Sequence, residues 1–415
     1  MSKPQDISTL PAHLARTATA LIHHPYQPPG GFDAVPPGVY KASTVIFENT
    51  AALHTRQWQD KSGYTYGLHG TPTTFTLEER LATLEGGLHT VLAPSGLSAI
   101  SLVDMAFLRA GDEVLIPDNA YGPGKDFARV ELARWGITHR SYDPQNAEAL
   151  AGLITERTKL LWLEAAGSVT LEFPDLLGLL RVARQHPHLR VALDNTWGAG
   201  LAFNPFQMPD PQDAAGAIWG VDVSVHALTK YPSGGADVLM GAVITRDPQL
   251  HHQVLMTHMR LGLGVGANDA ELVLRGLPSL PLRYAAHDAA TRQIAQWLQS
   301  RAEPSQVLHP ALLDSPGHAW WAELCQAAGG LVSMVFDADR YSTERVHAFV
   351  DALQVFKIGY SWGGPMSLVM PYRLDGMREH GHLAGRRGTI VRLAIGLESP
   401  AALMADLEQA FQVLA

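Results

Sequence analysis

The sequence predicts an α/β protein: a mostly parallel sheet covered by helices on both faces, followed by a smaller α+β domain. Three observations carry that expectation. From Thr73 onward, short continuous apolar runs alternate with helical periodicity, as expected for strands buried on both faces. A long helical region then separates this pattern from a second, shorter mixture of strands and helices. Finally, 415 residues that are 46% hydrophobic and 17% charged exceed one ordinary core but support a large domain plus smaller pieces.

Taken in order, residues 1–70 are rich in proline, glycine and aromatics, as in Pro25-Tyr26-Gln27-Pro28-Pro29-Gly30-Gly31, and read as an extended arm that needs another surface to lie on. Residues 71–266 read as the large α/β domain. It begins with a helix over Phe75 to Leu84, a strand over Thr90 to Ala93, a helix from Leu97 and a strand over Glu113 to Ile116. Further strands are expected at Lys159 to Leu163, Arg190 to Leu193, Val221 to Val225 and Val238 to Val243. The proline-rich segment Asn204 to Ala217 reads as a surface insertion, and Gly262-Leu263-Gly264-Val265-Gly266 as a loop, because no strand leads into it. Residues 267–415 read as the α+β domain, opening with helix over Ala270 to Ser300. In it, strands Gly330 to Phe336 and Thr389 to Ile395 alternate with helices near Thr343 to Leu353 and Pro400 to Val413.

The net charge of −9, with no basic cluster, argues against nucleic acid and anionic membranes as partners. No run approaches the ~20 apolar residues of a membrane span. Met1 to Leu10 lacks a signal pattern, so the expected location is the cytoplasm. The single cysteine, Cys325, reads as a structural thiol. The 19 histidines leave a metal-dependent hydrolase as an alternative, although no HExxH or CxxC spacing occurs.

Four stretches could carry chemistry. The strand in Asp222-Val-Ser-Val-His-Ala-Leu-Thr-Lys230 ends in a lysine where α/β sheets bind ligands. Thr229 beside it offers a hydroxyl for phosphate; a solvated lysine at a surface turn explains the same residues. Val191-Ala-Leu-Asp194 ends in a carboxylate that could hold a pyridine nitrogen protonated, or equally cap a helix. Ala93-Pro-Ser95-Gly96-Leu97 joins a strand to a helix whose first N–H groups could cradle a phosphate, although many βα turns look alike. Tyr121 follows the strand Glu113 to Ile116 and could stack on a flat ring, or be an ordinary half-buried aromatic.

Together these elements resemble the Cys/Met metabolism family of pyridoxal phosphate enzymes, the fold-type I group of cystathionine lyases and synthases. The resemblance runs from about Lys41 to the C-terminus through Tyr64-Thr-Tyr66-Gly67, Leu84-Glu-Gly-Gly87, Ser95-Gly96, Asp194-Asn-Thr196, Thr229-Lys230-Tyr231, Tyr360-Ser361-Trp362-Gly-Gly364 and Arg392-Leu-Ala-Ile-Gly396-Leu-Glu398. It implies a large domain with a mostly parallel seven-stranded sheet and pyridoxal 5'-phosphate as cofactor. By it, Lys230 is the Schiff-base lysine and proton shuttle, Asp194 pairs with the pyridine nitrogen and Tyr121 stacks on the ring. Gly96, Leu97 and Thr229 would hold the phosphate, and Tyr66 would reach the phosphate of a neighbouring subunit. Arg392, helped by Ser361, would grip the substrate's α-carboxylate. The assembly implied is a homo-oligomer, a tetramer built from dimers with shared sites.

The chain departs from the pattern at Leu68, where the family usually has an arginine, at Ala227, where it has a phosphate-binding serine, and at Ala165-Ala166, where Ser-Pro often stands. The aromatic pair Tyr360 and Trp362 stands where γ-acting relatives tend to carry a glutamate before the Ser-x-Gly-Gly run, and so resembles the β-lyases. The expected activity is therefore β-cleavage of a sulfur amino acid, cystathionine to homocysteine, pyruvate and ammonia. Open alternatives are γ-elimination, γ-replacement, cysteine desulfhydration, or cofactor binding without efficient catalysis.

Overall fold

The polypeptide alternates strand and helix because strand residues divide strictly between two cores. In the strand Thr158–Glu164, Leu160 and Trp162 enter one core while Leu161 and Leu163 enter the other. That period of two explains why the run is apolar throughout instead of alternating with polar residues. The computed structural model describes residues 34–211, 213 and 215–415; Val39–Ala415 form one contact unit. Of the expected N-terminal arm, residues 1–33 lie outside the described residues.

Within this unit the first sheet comprises β1 (His89–Ala93), β2 (Glu113–Pro117), β3 (Thr138–Tyr142), β4 (Thr158–Glu164), β5 (Arg190–Asp194), β8 (Val223–Ala227) and β9 (Gly241–Thr245). Between β5 and β8 a hairpin of β6 (Met208–Pro209) and β7 (Ile218–Trp219) is inserted. The strand order is β1-β9-β8-β5-β4-β2-β3, and β9 alone runs against the rest. The helices before and among these strands are α1 (Thr50–Thr55), α2 (Pro72–Glu85), α3 (Gly96–Phe107), α4 (Gly122–Phe127), α5 (Ala147–Ala151), α6 (Leu176–Ala183) and α7 (Pro248–Leu261). Their ends follow local chemistry. Thr71 and Thr74 form a reciprocal capping box on α2, and Gly86 closes it in the left-handed conformation with φ of 75°. Ser95 caps α3 through its hydroxyl.

Next come α8 (Ala267–Gly276) and α9 (Leu280–Gln299), then a second sheet of β10 (Gln306–Leu308), β11 (Leu331–Asp337), β12 (Lys357–Ile358), β13 (Leu368–Arg373) and β14 (Gly388–Ala394), with α10 (His318–Leu324), α11 (Thr343–Asp351) and α12 (Pro400–Phe411). Its order is β10-β11-β14-β13-β12, and it has its own core around Phe336, Phe349 and Phe411. Tyr231 ties the two sheets together: its fully buried hydroxyl accepts the N–H of Gly330, just before β11.

The structure corrects several expectations. The helical region Ala270 to Ser300 is two helices, interrupted at Leu277–Ser279, because Pro278 and Pro281 lack the N–H groups a continuous helix would use. The strand expected at Val238 begins later, at Gly241, since Met240 is held by Thr229. Strand β3 escaped notice because it is a half-exposed edge strand, Thr138-His-Arg-Ser-Tyr142, without an apolar run. Strands β10, β12 and β13 were likewise not expected. The Asn204–Ala217 insertion is anchored rather than merely superficial: Met208 is fully buried, and Arg181 forms a bidentate pair with Asp210 at 2.8 Å for each bond.

Candidate active site

Strand ends converge where β4, β5 and β8 lie side by side. Glu164 and Asp194, the last residues of β4 and β5, are direct partners in register, and Asp194 pairs in turn with Val225 of β8. Lys230 stands three residues beyond β8, in a turn closed by Lys230 N–H to Ala227 O at 3.1 Å and Ser233 N–H to Leu228 O at 3.0 Å. The neighbouring Tyr231 ring packs edge-on against Tyr284 and Trp362, so the backbone carrying Lys230 is locked into the core. Its Nζ donates to Ser361 Oγ at 2.8 Å and lies 5.5 Å from the Trp362 ring centre. Burial lowers its pKa to about 8, Arg392 adds to the depression and Asp194 opposes it. Near pH 8 much of this amine is therefore neutral, as a nucleophile or base must be.

Asp194 Oδ1 accepts from Thr196 N at 3.0 Å and Thr196 Oγ1 at 2.5 Å, and the same hydroxyl accepts the N–H of Ala227 at 2.9 Å. Thr196 thereby fixes the carboxylate against β8. Burial raises the pKa of Asp194, while the Thr196 hydrogen bonds, His226 and Lys230 pull it back. Glu164 is pushed well above the usual carboxylate range, first by burial and then by Asp194. Its Oε2 accepts the backbone N–H of Tyr121 at 2.7 Å and so sets the start of α4. Tyr121 itself is half-exposed on the cavity wall. Glu164 was not among the expected site residues; its place at a strand end in register with Asp194 was the available signal.

Arg392, from the middle of β14, is 7% exposed. Its Nη2 reaches Ser361 O at 3.4 Å, while the buried Nε has no partner. A buried guanidinium nitrogen left without an acceptor is costly unless an anion is to arrive. Ser361 holds a left-handed backbone, φ 85°, beside Gly363 at φ 80°, which bends the segment so that Tyr360, Ser361 and Trp362 all line the cavity.

These groups surround a cavity of 620 Å³, walled also by Ser95, Gly96, Leu97 and Thr229. The first-turn N–H groups of α3 have no acceptors within the helix and face negative charge favourably. Gly96 is required by close approach, because a Cβ there would fall 2.6 Å from Ala227 Cβ. The structure thus brings together ten of the eleven expected site residues, Tyr66 excepted: it is 47% exposed and sits by His69, away from the cavity lining. Thr229 is present, but its hydroxyl is engaged with Met240, accepting the N–H at 3.2 Å and donating to the carbonyl at 3.4 Å. The donor set fits a phosphorylated pyridine aldehyde: a lysine of lowered basicity, a half-buried carboxylate, helix N–H groups on one side and, on another, an arginine whose buried Nε has no acceptor.

Comparison with known proteins bears on the same cavity. The family described as Cys/Met metabolism PLP-dependent enzyme matches residues 18–412. The chain is 38% identical over 403 residues to the cystathionine beta-lyase of Bordetella avium, covering 95% of this chain and 98% of that one. It is 33% identical over 384 residues to the L-alanine/L-glutamate racemase of Wolbachia pipientis, covering 90% and 91%. Its fold superposes on the crystal structure of cystathionine gamma synthase from Xanthomonas oryzae pv. oryzae in complex with aminoacrylate and cysteine with a TM-score of 0.79 at 30% identity, over 92% and 94% of the two chains.

Proposed function

Since the chain belongs to the Cys/Met metabolism family of pyridoxal phosphate-dependent enzymes, we propose that it is a carbon–sulfur β-lyase that cleaves cystathionine to homocysteine, pyruvate and ammonia. The observation that carries the reading is the convergence of Lys230, with its lowered basicity, on a cavity shared with Asp194 and with Arg392, whose buried Nε has no acceptor. Bound there, pyridoxal phosphate supplies an electron sink for the pair left behind when the α proton is removed.

The chain's own groups do the rest. Arg392 binds the α-carboxylate of the amino acid through its free donors, and Ser361 keeps the adjacent backbone in place. Lys230 Nζ, free of the cofactor once substrate is bound, would take the α proton and pass it to the departing thiolate sulfur, and water would hydrolyse the released imine to pyruvate and ammonia. Asp194, steadied by Thr196, would hold a proton on the pyridine nitrogen. Tyr121 would stack on the ring, the N–H groups of Gly96 and Leu97 would bind phosphate, and Tyr360 and Trp362, which line the same cavity, would border the leaving group. Because Tyr66 lies away from this cavity, it serves the site of a neighbouring subunit, in a tetramer built from dimers.

The same reading divides the chain into an arm to residue 70, a cofactor-binding domain at 71–266 and a C-terminal domain at 267–415, working in the cytoplasm. Product analysis tests it. Cystathionine should give pyruvate, whereas 2-oxobutyrate would indicate γ-cleavage and D-alanine from L-alanine would indicate racemisation. Absence of pyruvate from cystathionine would overturn the proposal.

A further inference from the structure

A second cavity lies at the opposite edge of the seven-stranded sheet, where β4 and β5 begin. Its volume is 710 Å³, within the range of small-molecule sites. It is bordered by the last turn of α3, the first residues of β4 and β5, and one face of α7. Arg109, Lys159, Arg190 and Arg260 line it, together with His188 and His252, against one carboxylate, Asp112. None of the four fixed cations takes part in an ion pair among the described residues. Asp112 is partly engaged already, since its Oδ2 accepts the backbone N–H of Arg109 at 2.8 Å.

This charge pattern is the reverse of the molecule's. The chain carries −9, yet four cations converge here on one concave surface. The carboxyl end of α3 contributes roughly half a negative charge at the rim, too little to balance them. Arg109, Arg190 and Arg260 are exposed and Lys159 is half-buried, so water and salt screen their mutual repulsion, and without ion-pair partners among the described residues all four are available to an anion. Two arginine forks and a lysine on neighbouring strands and loops provide planar and point donors suited to several oxygens of a polyvalent anion at once.

We propose that this cavity is an anion-binding site separate from the catalytic one, and that its ligand is a multivalent oxyanion of up to nucleotide size, with phosphate groups as the favoured chemistry. The site reaches the catalytic edge through two strands. Along β4 the path from Lys159 to Glu164 is about 17 Å, and along β5 the path from Arg190 to Asp194 about 13 Å, at ~3.3 Å per residue, so each strand carries a cationic residue near one end and a carboxyl of the active site at the other.

Titration of the pyridoxal phosphate-loaded enzyme with ATP, pyrophosphate and citrate in low-salt buffer tests the proposal by calorimetry. With the catalytic phosphate site already filled, one saturable site per chain is expected for ATP or pyrophosphate, with weaker binding of citrate and affinity falling as salt rises. The double variant Lys159→Gln with Arg190→Gln should weaken binding by about a hundredfold or more, because each substitution removes a charge-assisted hydrogen bond to the anion. Pyruvate formation without added anion should not change in that variant. Should the double variant not fold, Arg260→Gln alone, on the exposed side of α7, should weaken binding in the same sense. Absence of saturable binding by all three anions overturns the proposal, as does binding that the substitutions leave untouched. Another copy of the chain covering this face would give the first of those results.

Discussion

At the scale of single residues, Arg392 is buried and Lys230 and Asp194 are half-buried on the cavity wall, and each is explained by what the cavity is to hold. Lys230→Ala should abolish the visible absorbance of the reconstituted protein and lower kcat by about a thousandfold or more; a protein that keeps both would not use Lys230. The depressed pKa also sets a pH dependence. The folded pKa of about 8 lies below the 10.5 of a free lysine, so the reactive neutral amine appears as pH rises through 8. The rate at which apoenzyme takes up pyridoxal phosphate should therefore climb between pH 7 and 9 with a midpoint near pH 8. A midpoint close to the free-lysine value would mean that the cavity does not exclude water as the structure indicates. For Arg392→Lys, replacement of the planar fork by a point charge should raise KM for cystathionine more than it lowers kcat, with kcat/KM falling about tenfold or more.

Among the elements, the junction of α2, β5 and β8 is held by a buried carboxylate. Glu85, at the end of α2 and fully buried, accepts from Asn195 Nδ2 and Ser224 Oγ at 2.9 Å each and lies 3.0 Å from His226 Nδ1. These are neighbours of Asp194 and Lys230 along the chain, so the network holds the strands that carry the site. Glu85→Ala should destabilise the protein by about 2–6 kcal/mol, at about 1–3 kcal/mol for each of Asn195 and Ser224 left buried and unpaired. Denaturant unfolding measures this, and a loss below about 1 kcal/mol would show that water satisfies the partners instead. At the start of α3, Gly96→Ala would press a methyl group against Ala227. The shift needed to relieve it should weaken cofactor binding measurably, while an unchanged dissociation constant would remove Gly96 from the phosphate cradle.

For the molecule as a whole, Tyr66 decides whether the active site is complete within one chain. If it serves a neighbour, Tyr66→Ala and Lys230→Ala proteins, each inactive, should regain up to about a quarter of native activity when unfolded and refolded as a mixture. Half the dimers would then be hybrids with one intact site. No regain would place every needed residue in one chain. The alternation of apolar strands with helices is legible in the sequence because burial on both faces forces continuous apolar runs, and these mark β1, β2, β4 and β5 to within one residue at each end, while β8 starts and stops two residues later than its apolar run predicts. Lys230 and Asp194 were legible for a related reason: polar residues that end such runs fall at the sheet edge.

The chain by itself therefore determined the doubly covered sheet, the strand-to-helix turn at Ser95-Gly96 and the polar residues at the strand ends, since these follow from local periodicity and turn chemistry, while the roles of Lys230 and Asp194 came from the family resemblance. Only the tertiary structure decided that Glu164 stands in register beside Asp194, that Arg392 is left with a free buried Nε, and that Thr229 turns its hydroxyl to Met240. Those facts depend on which strands become neighbours and how a loop folds over them. Side chains far apart in sequence share a cavity because the backbone hydrogen bonds of the sheet and the packing of its two cores leave them one place to go.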